Sequence, residues 1–105
     1  MEIEWVLVKN DKELSEKLPR EIPWISLDVN GELVDSSALS KKLLNSSRLH
    51  FLIGGPDGLD PKLLAKSAWR WSLSPLTFTH QMVRLLLIEQ LYRALEIDAG
   101  TSYHR

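Results

Sequence analysis

Ile53-Gly54-Gly55-Pro56-Asp57-Gly58 and, further on, Trp71-Ser72-Leu73-Ser74-Pro75-Leu76-Thr77-Phe78 decide how this chain is read. Each passes from apolar or aromatic residues into residues suited to tight turns, so each reads as a strand end and the loop that leaves it. Glycines at such a turn let the backbone approach a ligand and let N–H groups converge on it. Ser-Pro-Leu-Thr adds a fixed φ, carbonyls and apolar walls suited to a flat, uncharged ring. Together they predict a pocket for a nucleoside-like ligand. Taken alone, Gly-Gly-Pro-Asp-Gly is weak evidence, because the same residues serve any type I or II turn before a helix.

Outward from these loops, strand-like runs alternate with helix-like ones, which predicts an α/β domain on a mostly parallel sheet with helices on both faces. Residues 2–8 read as a first strand, and residues 11–18 as a short helix capped by Asp11 and stopped by Pro19. Residues 23–29 read as a second strand, followed by a turn at Asn30-Gly31. Ser36 or Ser37 then caps a helix through Leu44, and residues 49–53 form a compact apolar third strand. Pro61 suits the first turn of a helix reaching about Ala68, and residues 70–73 begin a fourth strand. The last helix, residues 79–99, is the longest element expected.

The bulk numbers bound the answer without naming a chemistry. The 105 residues leave room for one domain, spanning 1–105. A domain of that size buries roughly two-thirds of its unfolded surface, so a dimer would help it. With no cysteine there is neither a disulfide nor a thiolate metal site, and no metal is expected. The start lacks a basic flank and a long apolar run, so a cytoplasmic chain without a membrane partner is expected. A formal net charge of −1 provides no general pull toward nucleic acid, so any grip on RNA must be local.

Projected at about 100° per residue, the last helix carries a polar stripe of Glu89, Arg93 and Glu96, with Gln90 beside it, expected to face water. Glu89 and Arg93, four apart in the favourable order, read as a surface pair. Leu87, Ile88, Leu91 and Leu95 fall on the other side, with Arg84 among them and His80 one turn earlier. Burying an unpaired guanidinium costs several kcal/mol, so Arg84 needs an acid, a carbonyl array, a phosphate or an interface edge. A histidine near a helix start is more often a cap or a hydrogen-bonded filler than a catalyst. Its place beside the Ser-Pro-Leu-Thr loop nonetheless puts His80, with Arg84, at the mouth of the expected pocket. Met82, Val83, Leu85 and Leu86 broaden the apolar surface beyond what a small monomer covers, which predicts a homodimer through this helix.

From Phe51 to the end, the sequence resembles the ribosomal large-subunit pseudouridine N3-methyltransferases of the trefoil-knotted SPOUT superfamily. The matching segments are FLIGGPDGL, WSLSPLTFTHQMVRLLLIEQLYRA and SYHR, with a weaker match at ISLDVNGE. The resemblance implies an S-adenosylmethionine site made largely of backbone: Leu27, Gly54, Leu73, Ser74, Pro75, Leu76, Thr77 and Phe78. It also implies a C-terminal trefoil knot across about residues 49–105, which periodicity cannot reveal and which is rare among folds. In relatives the terminal Tyr-His-Arg or Tyr-His-Lys folds over the cofactor pocket across the dimer, toward the target nucleotide. Here those residues are Tyr103, His104 and Arg105, able respectively to stack, to move a proton and to take a phosphate.

The chemistry so implied is methyl transfer to N3 of a pseudouridine in ribosomal RNA, with the ribosome or its RNA as partner. His104 or His80 is the base or orienting group, and the residues do not rank the two. Tyr103 assists, while Arg84 and Arg105 hold RNA. The dinucleotide pattern Gly-x-Gly-x-x-Gly and a phosphate-loop lysine are both absent, which argues against NAD and ATP. Relatives are longer, and the stretch without a counterpart corresponds to an early strand–helix unit; Lys9, Lys12, Lys17 and Arg20 are either a replacement RNA surface or a solvated helix face. Three alternatives stay open: a cofactor-binding domain that no longer methylates, a methyltransferase for another RNA such as transfer RNA, and a plain interaction module.

Overall fold

Three strands form the sheet. The computed structural model describes residues 3–8, 10–18, 23–43, 48–54 and 58–103. In it Trp24–Leu33 (β1), His50–Leu52 (β2) and Trp69–Ser72 (β3) pair in the order β2-β1-β3, and both pairings are parallel. Four helices accompany them among the described residues: Asp11–Lys17 (α1), Ser36–Leu43 (α2), Pro61–Lys66 (α3) and His80–Asp98 (α4).

Strand alternation sorts the helices onto two faces. Ile25 and Trp71 point to one side, where they are buried with Leu39 of α2 and with Leu87 and Ala94 of α4. Leu52 and Trp24 point to the other, against Leu63 and Leu64 of α3 and Leu14 and Leu18 around α1. The chain thus leaves β1 over one face to reach β2, then crosses back over the opposite face to reach β3, on the far side of β1. The expected parallel sheet with helices on both faces is what forms.

Helix boundaries follow their caps. Asn10, not Asp11, caps α1, its side chain accepting the Glu13 N–H at 2.9 Å. Asp35, not Ser36 or Ser37, caps α2 by accepting the Ala38 N–H at 2.7 Å. α3 has Asp60 as cap and Pro61 in its first turn. It stops at Lys66, short of the expected Ala68, because the Ala68 N–H already donates to the Trp24 carbonyl at 2.9 Å, which opens the β1–β3 ladder. α4 begins after Thr79, whose hydroxyl accepts the Met82 N–H at 3.3 Å.

Two strand expectations need correction. Residues 3–8 form no strand, and Ile3, Trp5, Val6 and Leu7 are exposed; alternating apolar residues make a strand only where a sheet edge accepts them. Asn30-Gly31 does not end the second strand. Asp28 accepts the Asn30 N–H at 3.1 Å in a local turn, yet Leu27 and Glu32 both register with Trp71, so the chain bulges and rejoins β3. Gly31 makes this possible: a Cβ there would lie 2.7 Å from the Arg70 carbonyl carbon. Pro19 and Leu44 lie outside the described residues.

Candidate functional site

Because all strands run the same way, their C-terminal ends share one edge of the sheet. Leu27 registers with Trp71, and Ser26 with Leu52, so Leu27, Gly54 and Leu73 stand within two residues of one level along three adjacent strands. The connections leaving β1 and β2 cover opposite faces, which opens a crevice between those two strand ends. That is where open α/β sheets bind ligands. The structure therefore brings together Leu27, Gly54 and the start of the Ser-Pro-Leu-Thr loop, three segments far apart in the chain.

The loop is pinned at its root and open at its tip. Ser72 is buried, and its hydroxyl donates to the Ser74 carbonyl at 3.0 Å; the Ser74 hydroxyl accepts the Leu76 N–H at 3.1 Å. Pro75, Leu76 and Thr77 are exposed, Leu76 to 68%. The N–H groups of Thr77 and Phe78 make no hydrogen bond among the described residues. An apolar side chain held outward beside unspent backbone donors suits the face and edge of a planar heterocycle. Gly54 packs against the chain as it returns, where a Cβ would lie 2.7 Å from the Gly58 carbonyl carbon and 2.8 Å from the Leu59 nitrogen.

His80 is exposed as the first residue of α4, and Thr79 does the capping. Arg84 is half-buried, and its guanidinium lies 5.6 Å from the centre of the Trp5 ring. Among the described residues its partner is thus an aromatic face rather than an acid or a carbonyl array. The N-terminal segment read as a strand supplies that face.

Further along α4 the expected stripes are shifted. Leu87 and Ala94 are the buried positions, whereas Leu85 and Leu95 are 60% and 51% exposed. Gln90 turns inward, where its side-chain oxygen accepts the Ser36 hydroxyl at 3.3 Å. Glu89 and Arg93 are half-buried, and Tyr103 from the tail lies over them, its hydroxyl donating to Glu89 Oε1 at 3.3 Å. Hydrogen bonding to Glu89 raises the Arg93 pKa, and the Glu96 carboxylate raises that of Tyr92. Polarity periodicity carried no signal for a contact between residues 14 apart.

One chain does not unite all the expected residues. Tyr103 sits beside Glu89, which is nine residues, or about 13 Å of helix axis, beyond His80 and the loop. His104, Arg105, Gly55, Pro56 and Asp57 lie outside the described residues, as do Lys9 and Arg20. Lys17 pairs with Glu13 at 3.1 Å on α1. A separate cavity of about 320 Å³ lies at the opposite, N-terminal edge of the sheet, lined in part by Pro23, Lys42, Arg48 and Trp69, away from the residues expected to hold the cofactor. Among the described residues no helix is long and apolar enough to cross a membrane.

A parallel α/β sheet that brings Gly54 and the Ser-Pro-Leu-Thr loop to its C-terminal edge belongs to the class of open α/β folds that bind ligands at strand ends, and comparison narrows it. The model of the family described as predicted SPOUT methyltransferase matches residues 1–104, and the chain belongs to that family. Among individual relatives, the ribosomal RNA large subunit methyltransferase H of Alkalilimnicola ehrlichii is 53% identical over 85 residues, 77% of this chain and 55% of its own length. The proteins of the same name from Prochlorococcus marinus strain NATL2A and Synechococcus sp. strain CC9311 are 43% and 46% identical, covering 93% and 92% of this chain and 69% of each relative. The chain thus spans between about half and two-thirds of the length of the curated relatives it matches.

Proposed function

We propose that the protein transfers a methyl group from S-adenosylmethionine to N3 of a pseudouridine in large-subunit ribosomal RNA, acting on the ribosome or its RNA in the cytoplasm as a knotted homodimer. The observation that carries the reading is the convergence of Leu27, Gly54 and the Leu73 to Phe78 loop at one strand edge, in a chain of the SPOUT methyltransferase family. When bound, S-adenosylmethionine supplies an already activated methyl on a sulfonium. The N–H groups of Thr77 and Phe78, unbonded among the described residues, and the outward Leu76 fit its adenine edge and face.

The protein's task is then to hold the base in line and to help its N3 proton leave. His104 or His80 takes that proton, and Arg84, Tyr103 and Arg105 hold the RNA. The separation of Tyr103 from the loop within one chain supports a pocket completed by the tail of a second copy. Leu85, Tyr92 and Leu95, spaced seven and three apart and all at least 43% exposed, offer α4 as the dimer surface.

Methyl transfer from labelled S-adenosylmethionine to undermethylated ribosomes tests the proposal. His104→Ala is expected to lower the initial rate by about 10², as for an acid–base residue, with cofactor affinity within a few-fold. An unchanged rate would remove His104 from the chemistry and leave His80. Methylation of deproteinised transfer RNA but not of ribosomes would replace the ribosomal substrate.

A further inference from the structure

The tail after α4 is docked by more contacts than a frayed terminus makes. Gly100, at a φ of 75°, turns the chain, and the Thr101 N–H donates to the Glu96 carbonyl at 3.0 Å. The Thr101 hydroxyl donates to the Glu96 carboxylate at 2.6 Å and accepts the Tyr103 N–H at 3.4 Å. Tyr103 then meets three groups of α4. Its hydroxyl reaches Glu89 Oε1 at 3.3 Å, its ring lies 5.1 Å from the Arg93 guanidinium carbon, and the Tyr92 ring meets it edge-on at 4.8 Å. Arg93 is itself held on Glu89, with Nη2 to Oε1 at 2.5 Å.

An ordinary ion pair one helical turn apart has no need of an aromatic ring between it and solvent. Here the carboxylate fixes the Tyr103 hydroxyl, the guanidinium covers a ring face and Tyr92 closes the edge, so both the position and the tilt of the ring are set. We propose that Glu89 and Arg93 are positioning residues that clamp Tyr103 and fix the point and direction in which the C-terminal tail leaves α4. Its consequence for rate rests on the methyltransferase reading, in which that tail completes a pocket.

The test is made on the full chain with two readouts. Backbone ¹⁵N relaxation at Tyr103 reports the clamp whether or not the protein methylates anything. In the parent the order parameter is expected in the rigid range, near 0.85, and in Glu89→Ala and Arg93→Ala below about 0.6. Arg93→Lys should release the ring in part, because an ammonium lacks the planar fork that holds both carboxylate oxygens while its flat side lies on the ring. Glu89→Gln, which keeps an acceptor, should restore much of the order.

Steady-state methylation of ribosomes should show kcat lowered about tenfold or more in the two alanine variants, KM for S-adenosylmethionine within twofold, and recovery in Glu89→Gln. Tyr103→Phe changes an exposed residue and leaves the helix pair in place, so it reports the hydroxyl contact even if an alanine variant fails to fold; a partial loss of order is expected. An unchanged Tyr103 order parameter in Arg93→Ala overturns the clamp, and release of the tail with kcat intact overturns its positioning role. A parent that methylates no RNA yet loses tail order in Arg93→Ala would sink the enzymatic reading while upholding the clamp.

Discussion

Trp71→Ala is expected to cost about 3–5 kcal/mol, the range for emptying a buried tryptophan site. Trp71 is 2% exposed at the centre of the larger core, stacked on Trp69 at 5.4 Å and tilted against Phe51 at 6.2 Å. It joins Ile25 of β1, Leu39 of α2 and Leu87 and Ala94 of α4, so its ring links the sheet to both helices on that face. Domains of this size are stable by only about 5–15 kcal/mol, and the loss should lower the melting temperature by ~10 °C or more. Far-UV circular dichroism measures this, with Trp5→Ala as the contrast. Trp5 is 46% exposed and lies under Arg84, a contact worth about 1 kcal/mol or less. Equal melting of the two variants would show that the core is not centred on Trp71.

Gly54→Val is expected to weaken S-adenosylmethionine binding by about tenfold or more, because a displaced backbone loses hydrogen bonds to the ligand worth about 0.5–1.5 kcal/mol each. The obstruction is backbone, with the Gly58 carbonyl carbon at 2.7 Å and the Leu59 nitrogen at 2.8 Å from the new Cβ, so no side-chain rotation relieves it. Leu59 is 8% exposed and packed with Leu52 and Leu63, so moving its nitrogen disturbs the second core as well, at about 1–3 kcal/mol. Calorimetry beside a thermal melt separates the two effects. Affinity within threefold of the parent, in a protein that melts lower, would place the cofactor away from this turn.

The positions of Gly54 and of the Ser-Pro-Leu-Thr loop were legible because glycine and proline mark strand ends locally, and parallel pairing carried both to one edge without further instruction. The long helix was legible in extent but not in orientation. Polarity alone places Gln90 outward and Leu95 inward, whereas Gln90 finds the Ser36 hydroxyl and Leu95 stays exposed. Residues 3–8 carry a strand-like pattern, yet a strand is a relation between two segments, and the described sheet ends at β2 and β3. Its helical position marks Arg84 as a cation needing a partner, but that partner, Trp5, lies 79 positions away in the same N-terminal segment. The Tyr103 clamp was hidden for the same reason. It is assembled by a turn at Gly100 that folds the tail onto a helix face whose residues, taken alone, look like an ordinary solvated pair.

The central claim is that the strand-end crevice holds S-adenosylmethionine in a dimer, and a calorimetric titration with light scattering on the same sample tests it most directly. Micromolar binding, at one or fewer sites per chain in a particle of twice the chain mass, is the predicted result. A folded dimer that releases no heat with S-adenosylmethionine would contradict the claim, leaving the glycine and proline loops as scaffold alone.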